Sequence, residues 1–289
     1  MRGPFNTFDK VETAVEICEA KLGEQFSSAE DITSLPNADK AVLLIKFASG
    51  LKIKLCVFAL DNYSFETNTR FMNSVGPGFF PRVLCRGNGW AAFEWIEGQT
   101  VSQQALGQEI VDQAAGLLAA IHDAKIECVP GFPETVLNEV RLKLKAKLPV
   151  LVANDVITQA HSQRVTDLCH SLSAQSLSIS LIHGDFSPAN LVVCGEKLYP
   201  VDNEKMRLHV TDYDACRAAT FWDEWNLSGQ QLLDAYSQQS GRMFAPESLF
   251  FWGIFDLVYR ISYRVFELGE TNKFCTMRLR EIMRTGTFR

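Results

Sequence analysis

Long apolar runs are missing from this chain. The longest, AVLLI and LFFWGIF, fall far short of the ~20 residues needed to cross a bilayer, so no membrane span is expected. The opening stretch MRGPFNTFDKVETAVEICEAK holds no apolar core of signal-peptide length. The C-x-x-C spacing is missing too. The eight cysteines, at 18, 56, 85, 128, 169, 194, 216 and 275, sit mostly inside apolar runs. Reduced, buried thiols of a cytoplasmic protein are expected, rather than a disulfide framework or a zinc site. There is little clustered positive charge. With a formal charge of -6 and no dominant basic stripe, a nucleic-acid partner is not expected. The locally basic RLKLKAKL, from Arg141, reads as a solvated helix face. Internal repeats and low-complexity tracts are absent as well.

What is present is enough for a large core. The 289 residues are 47% hydrophobic, with 20 Phe and 5 Trp spread along the length, which excludes a disordered chain and allows one large domain or two lobes. Residues 7–23 place Phe8, Val11, Val15, Cys18 and Leu22 on one helical face. AVLLIKFASGLKIKLCVFAL then reads as two strands joined at Ser49-Gly50. NYSFETNTRFMNSV reads as a short helix broken by GPGFFP, and two more strands flank Gly87-Asn88-Gly89. After Gly98 the pattern turns helical, with Leu106, Ile110, Leu117 and Ile121 near one face of a long helix. The reading is α+β: a sheet-rich lobe over residues 1–97 and a larger, mostly helical lobe over 98–289. A crevice near FEWIEG would be a natural place for a small molecule.

One segment does not fit a purely structural account. LIHGDFSPANLVV, from Leu181, puts His183, Asp185 and Asn190 in a polar loop between apolar runs. A hairpin follows and ends at Asp202, which would fold back beside Asn190. An amide oxygen and a carboxylate are hard ligands suited to Mg²⁺ carrying nucleotide phosphates. Asp185 would then accept a proton from an attacking hydroxyl, as phosphoryl transfer requires. The plain alternative is a polar turn whose Asp and Asn cap backbone groups.

HGDFSPANLVV followed by LYPVDNE resembles the catalytic segment of the aminoglycoside phosphotransferase and choline kinase family, small-molecule kinases with a protein-kinase-like fold. The order of FETNTRFMNSV, PRVL, FEWIEG, LLAAIHDAK and TDYDACRA is similar to that family over about residues 40–240. The resemblance implies a two-lobed kinase fold and an ATP- or GTP-dependent transfer to a small-molecule hydroxyl, with Mg²⁺. It puts Asp185 at the catalytic base, and Asn190 and Asp202 at the metal. Glu66 takes the place that pairs with a phosphate-holding strand lysine. That lysine is Lys54, with Lys52 and Lys46 as alternatives. Glu94, Trp95 and Ile96 would form the hinge that meets the purine through main-chain groups.

Two departures stand out. ITSLPNADKAVLL, where a glycine-rich nucleotide loop is usual, has no glycine, and Asn203 replaces an aromatic after Asp202. The missing glycines motivate a second reading, a non-catalytic pseudokinase-type protein that binds nucleotide or a partner. Glu204 could assist a second metal or pair with Lys205 or Arg207. His183 reads as a loop-shaping residue, and Asp214 as a cap of the helix that follows it, the favoured reading, or as a holder of the catalytic loop. Asp256, Arg260 and Arg264 read as an ion-pair row at i, i+4 steps. In TFWDEWNLSG, Asp223 and Glu224 among aromatics suggest an amine-bearing acceptor, an amino sugar or amino alcohol; core packing is the plain alternative.

Overall fold

The apolar faces written into the first hundred residues close on one another. In a computed structural model the chain is described at residues 7–33, 40–58, 65–103, 107–267, 269 and 272–288. In chain order the elements are α1 (Thr7–Leu22), β1 (Phe26–Asp31), β2 (Lys40–Phe47), β3 (Lys52–Phe58), α2 (Phe65–Val75), β4 (Val83–Gly87), β5 (Trp90–Glu94) and β6 (Gln99–Thr100). Next come α3 (Gln108–Asp123), α4 (Phe132–Ala153), α5 (Gln159–Ser171), β7 (Ile179–Ile182), β8 (Leu191–Cys194) and β9 (Lys197–Pro200). The chain finishes with β10 (Arg207–Val210), α6 (Thr211–Glu224), α7 (Gly229–Ser240), α8 (Pro246–Ile261) and α9 (Lys273–Thr285). Two compact units result: residues 1–99 with 192–204, and residues 100–191 with 205–289.

The first unit carries an antiparallel sheet in the order β1-β2-β3-β5-β4. Alternation in β3 sends Ile53, Leu55 and Val57 inward, where they meet Ile45 and Phe47 of β2. Ala14 and Cys18 of α1 complete that core, with Val11, Val15 and Leu22 packed around them. The side chain of Phe8, expected on the same face, lies outside the described residues, as does Leu106. The first unit ends at Gln99 and also takes in residues 192–204. That stretch groups with the first unit because β8 lies between β6 and β9 in a second, three-stranded sheet. Gly98 permits the approach: a Cβ there would stand 2.1 Å from the carbonyl oxygen of Val193.

The second unit is built from helices. Its α3 packs on α7, α6 on α7 and α8, and α8 on α4 and α9. Its centre is aromatic: Tyr213, Trp252 and Phe255 meet edge to face, with ring centroids 5.5–6.0 Å apart. A two-stranded sheet, β7 with β10, runs antiparallel from Arg207↔Ile182 to Val210↔Ile179. Four-residue β10 had no signal of its own beside the helix that opens at Thr211.

His209 of β10 is buried against Tyr213 and Trp252, and its Nδ1 has no hydrogen-bond partner. Burial, aided by the Arg207 charge, pushes its pKa from 6.5 down to about 3. An unfolded chain takes up this proton near pH 6.5 and the folded one does not. Stability is therefore complete above 6.5 and is lost as pH falls toward 3. Thermal unfolding should show a steady drop in Tm below pH 6.5, and His209→Gln should flatten that drop. An unchanged acid limb in His209→Gln would remove His209 as its source.

Candidate active site

Strand β7 ends at Ile182 and the chain turns through His183–Asn190 into β8. Gly184 makes the turn with φ +78, and a Cβ there would lie 2.9 Å from the Lys205 carbonyl oxygen, so only glycine fits without strain. Asp214, in the first turn of α6 and fully buried, accepts the backbone N–H groups of His183 (3.0 Å) and Gly184 (2.9 Å). Of its two expected roles the favoured cap is corrected in favour of the other: its oxygens hold the loop. His122 Nε2 lies 3.2 Å from the same carboxylate, and His122 Nδ1 2.7 Å from the Tyr236 hydroxyl. Burial alone would raise the Asp214 pKa, but the His122 contact and the His183 N–H bring it down to about 2.

Arg217 grips the same loop from the other side. Its Nε donates to the Gly184 carbonyl (2.8 Å), its Nη1 to Asp256 (2.5 Å), and its Nη2 lies 3.7 Å from Asp185 Oδ1. With both N–H groups and one carbonyl tied, the loop fixes Asp185. That side chain is 20% exposed and pairs with Lys205 at 2.8 Å. Burial favours its protonated form, but Lys205 and Arg217 outweigh this and hold its carboxyl below the usual range. The Asp185 N–H donates to His183 Nδ1 at 3.3 Å, the loop-shaping role expected of His183. Asn190 Nδ2 donates to the Asp185 carbonyl at 3.0 Å, so its amide oxygen remains for another partner.

In the first unit Lys54 pairs with Asp202, which has a left-handed backbone (φ +58) that costs a non-glycine residue about 1 kcal/mol or more. Burial would lower the Lys54 pKa, but the carboxylates of Asp202 and Glu204 raise it, so the ammonium stays charged. Lys46 and Lys52, the alternatives, pair with Glu30 (3.2 Å) and Glu97 (2.5 Å) at exposed positions. Glu66 is a correction. It lies exposed in the first turn of α2, and among the described residues it makes no ion pair with Lys54. Two positions on, buried Asn68 donates to the carbonyls of Asn203 (3.1 Å) and Glu204 (3.3 Å). Glu204 pairs with Lys40 at 3.2 Å.

Glu94 ends β5, and its N–H donates to the Arg82 carbonyl; Trp95 and Ile96 follow without regular structure. Residues 34–39 of the glycine-free stretch lie outside the described residues. All eight cysteines are free. Among the described residues, no three His, Cys, Asp or Glu side chains gather as a metal set, and no helix is long and apolar enough to cross a membrane. Asp223 and Glu224 are already engaged. Asp223 accepts the Gly229 N–H and lies 3.5 Å from Arg278, while Glu224 pairs with Arg260 and lies 3.6 Å from Arg264. Asp256 pairs mainly with Arg217 and lies 3.7 Å from Arg260, so the expected row is a branched network across α6 and α8.

A family model described as the phosphotransferase enzyme family matches residues 70–251. No curated protein sequence matches. Among solved structures, a choline kinase from Streptococcus pneumoniae is similar with a TM-score of 0.66 at 15% identity, covering 96% of this chain and 98% of that one. A spectinomycin phosphotransferase, in complex with ADP and spectinomycin, gives 0.64 at 14% identity, with 94% of each chain covered. A putative fructosamine-3-kinase from Thermobifida fusca gives 0.63 at 14%, covering 94% of this chain and 96% of that one.

Proposed function

The chain belongs to the phosphotransferase enzyme family, and from that premise we propose that it moves the terminal phosphoryl group of ATP or GTP to a hydroxyl of a small molecule, with Mg²⁺. The observation that carries this reading is the Asp185 loop. Asp214 and Arg217 clamp its backbone, and two cations keep the Asp185 carboxyl ionised. An ionised, positioned carboxylate is what a hydroxyl nucleophile requires. The acceptor oxygen forms a bond to the terminal phosphorus, the bond to the bridging oxygen breaks, and the nucleoside diphosphate leaves. Asp185 accepts the hydroxyl proton. Lys54 supplies a half-buried positive charge for the nucleotide phosphates.

The donor set fits Mg²⁺. The Asn190 amide oxygen and the Asp202 carboxylate are hard ligands too few to hold it alone, which suits a metal that arrives with nucleotide. When bound, Mg²⁺ supplies charge neutralisation for the phosphates. Asp202→Ala should abolish the Mg²⁺-dependent part of nucleotide affinity while leaving the Mg²⁺-independent part. Titration calorimetry with and without Mg²⁺ reads this directly. Equal ATP affinity in both conditions for the unaltered protein would favour the pseudokinase reading. Thermal shift with Mg-ATP and Mg-GTP, then ADP- or GDP-release assays over small hydroxyl compounds, tests the function as a whole.

A further inference from the structure

We infer that the acceptor carries an anionic group, a carboxylate or a phosphate monoester, held by Lys205 and Arg207 beside the hydroxyl that is phosphorylated. This rests on the kinase reading above. The observation behind it is the charge around Asp185. Lys205 is more than half exposed, and its one ion-pair partner among the described residues is the proposed base. Arg207 is exposed and makes no ion pair among the described residues; its Nη1 donates to the Lys205 carbonyl at 3.2 Å. The same atom lies 3.0 Å from where a Cβ on Gly184 would stand, one residue from Asp185. Two solvent-facing cations therefore flank the base, one paired to it and one with no ion pair among the described residues.

The residues beyond Asp185 do not offset them. Arg217 and Arg260 both lie over the Phe221 ring, 4.8 and 4.3 Å from its centroid. Among the described residues their charges, and that of Arg264, pair with Asp256 and Glu224, and Arg217 also lies 3.7 Å from Asp185. The Asp185 carboxylate itself already faces two cations, Lys205 at 2.8 Å and Arg217 at 3.7 Å. An ammonium brought to Asp185 would be repelled by these two cations at close range. The acids once expected to receive it, Asp223 and Glu224, are bound to arginines. Freeing Glu224 would leave the buried guanidinium of Arg260 short of charge, which is costly. An anionic acceptor has the opposite effect. As its anion takes up Lys205, Asp185 Oδ2 is released to receive the hydroxyl proton. Binding of the correct acceptor and freeing of the base become one event.

The test uses matched acceptors: glycerate against its amide, glucose 6-phosphate against glucose, and glucosamine as the amine arm. The expected result is phosphorylation of one anionic member with kcat/KM at least tenfold above its neutral partner, the first pair reporting a carboxylate and the second a phosphate. Lys205→Met and Arg207→Met should each raise KM for that acceptor about ten- to a hundredfold, as loss of a charge-assisted hydrogen bond does, and shrink the preference. Preference for glucosamine or the neutral partners overturns the inference and leaves the kinase reading standing. A Lys205→Met defect equal on every acceptor also overturns it, since the lysine then serves the transferred phosphoryl group. Absence of acceptor-dependent product from every arm, with Mg-nucleotide bound no better than nucleotide alone, overturns the kinase reading and this inference with it.

Discussion

Asp185→Asn is expected to leave a folded protein that binds nucleotide but turns over slower by on the order of 10²-fold or more, the upper part of what general-base catalysis contributes. The fold should survive because the clamp on the loop does not use this carboxylate. Asp214 holds the N–H groups of His183 and Gly184, and Arg217 holds the Gly184 carbonyl while paired to Asp256. The amide is of the same size and keeps the backbone contacts, including the N–H to His183 and the carbonyl to Asn190. Lys205, already more than half exposed, returns to water at little cost. What is lost is an acceptor for the hydroxyl proton. Steady-state turnover and thermal unfolding on the same preparation separate the two effects. Near-full turnover in Asp185→Asn would remove Asp185 from the reaction.

Asp256→Asn should have the largest effect on stability, about 3 kcal/mol or more in urea unfolding. Asp256 is fully buried on α8 and receives Arg217 at 2.5 Å, with Arg260 at 3.7 Å. Removing one partner of a buried pair leaves a desolvated cation, and such changes cost about 3–5 kcal/mol. Arg260 keeps Glu224, so the uncompensated charge falls on Arg217. Turnover should fall too, because Arg217 is the residue that fixes the Gly184 carbonyl. A loss below about 1 kcal/mol would mean that Arg217 is adequately balanced by Asp185 alone.

Much of the fold was legible because it is written in local periodicity. The α1 face, the β2–β3 hairpin and the strands around Gly87-Asn88-Gly89 need only neighbours in sequence to be read. The loop from His183 to Asn190 was legible for a different reason: polar residues at fixed spacing between apolar runs have few structural uses. The rest depends on distant pairings. Arg217 and Asp256 are 39 residues apart, and nothing in either helix names the other. Asp214 looked like a cap because it sits in a helix's first turn; its true partners lie 30 residues earlier. Glu66 was placed by the family resemblance, yet it is Asn68, two residues further round α2, that faces inward. A lone amide among Phe65, Phe71 and Met72 was the available signal, since a buried amide needs partners.

The short turn at Asn203–Lys205 constrains chain length more tightly than it constrains composition. Within four residues, Asp202 meets Lys54, Asn203 and Glu204 are held by Asn68 and Lys40, and Lys205 reaches Asp185. A side chain here can be exchanged and lose one contact. A residue inserted or deleted shifts the register of all of them at once. The Gly195-Glu196 turn, a few residues earlier, is exposed and joins β8 to β9 at the surface, so it has room to lengthen. Variation in this part of the chain should therefore appear as altered spacing between Asn190 and Asp202, and never between Asp202 and Lys205.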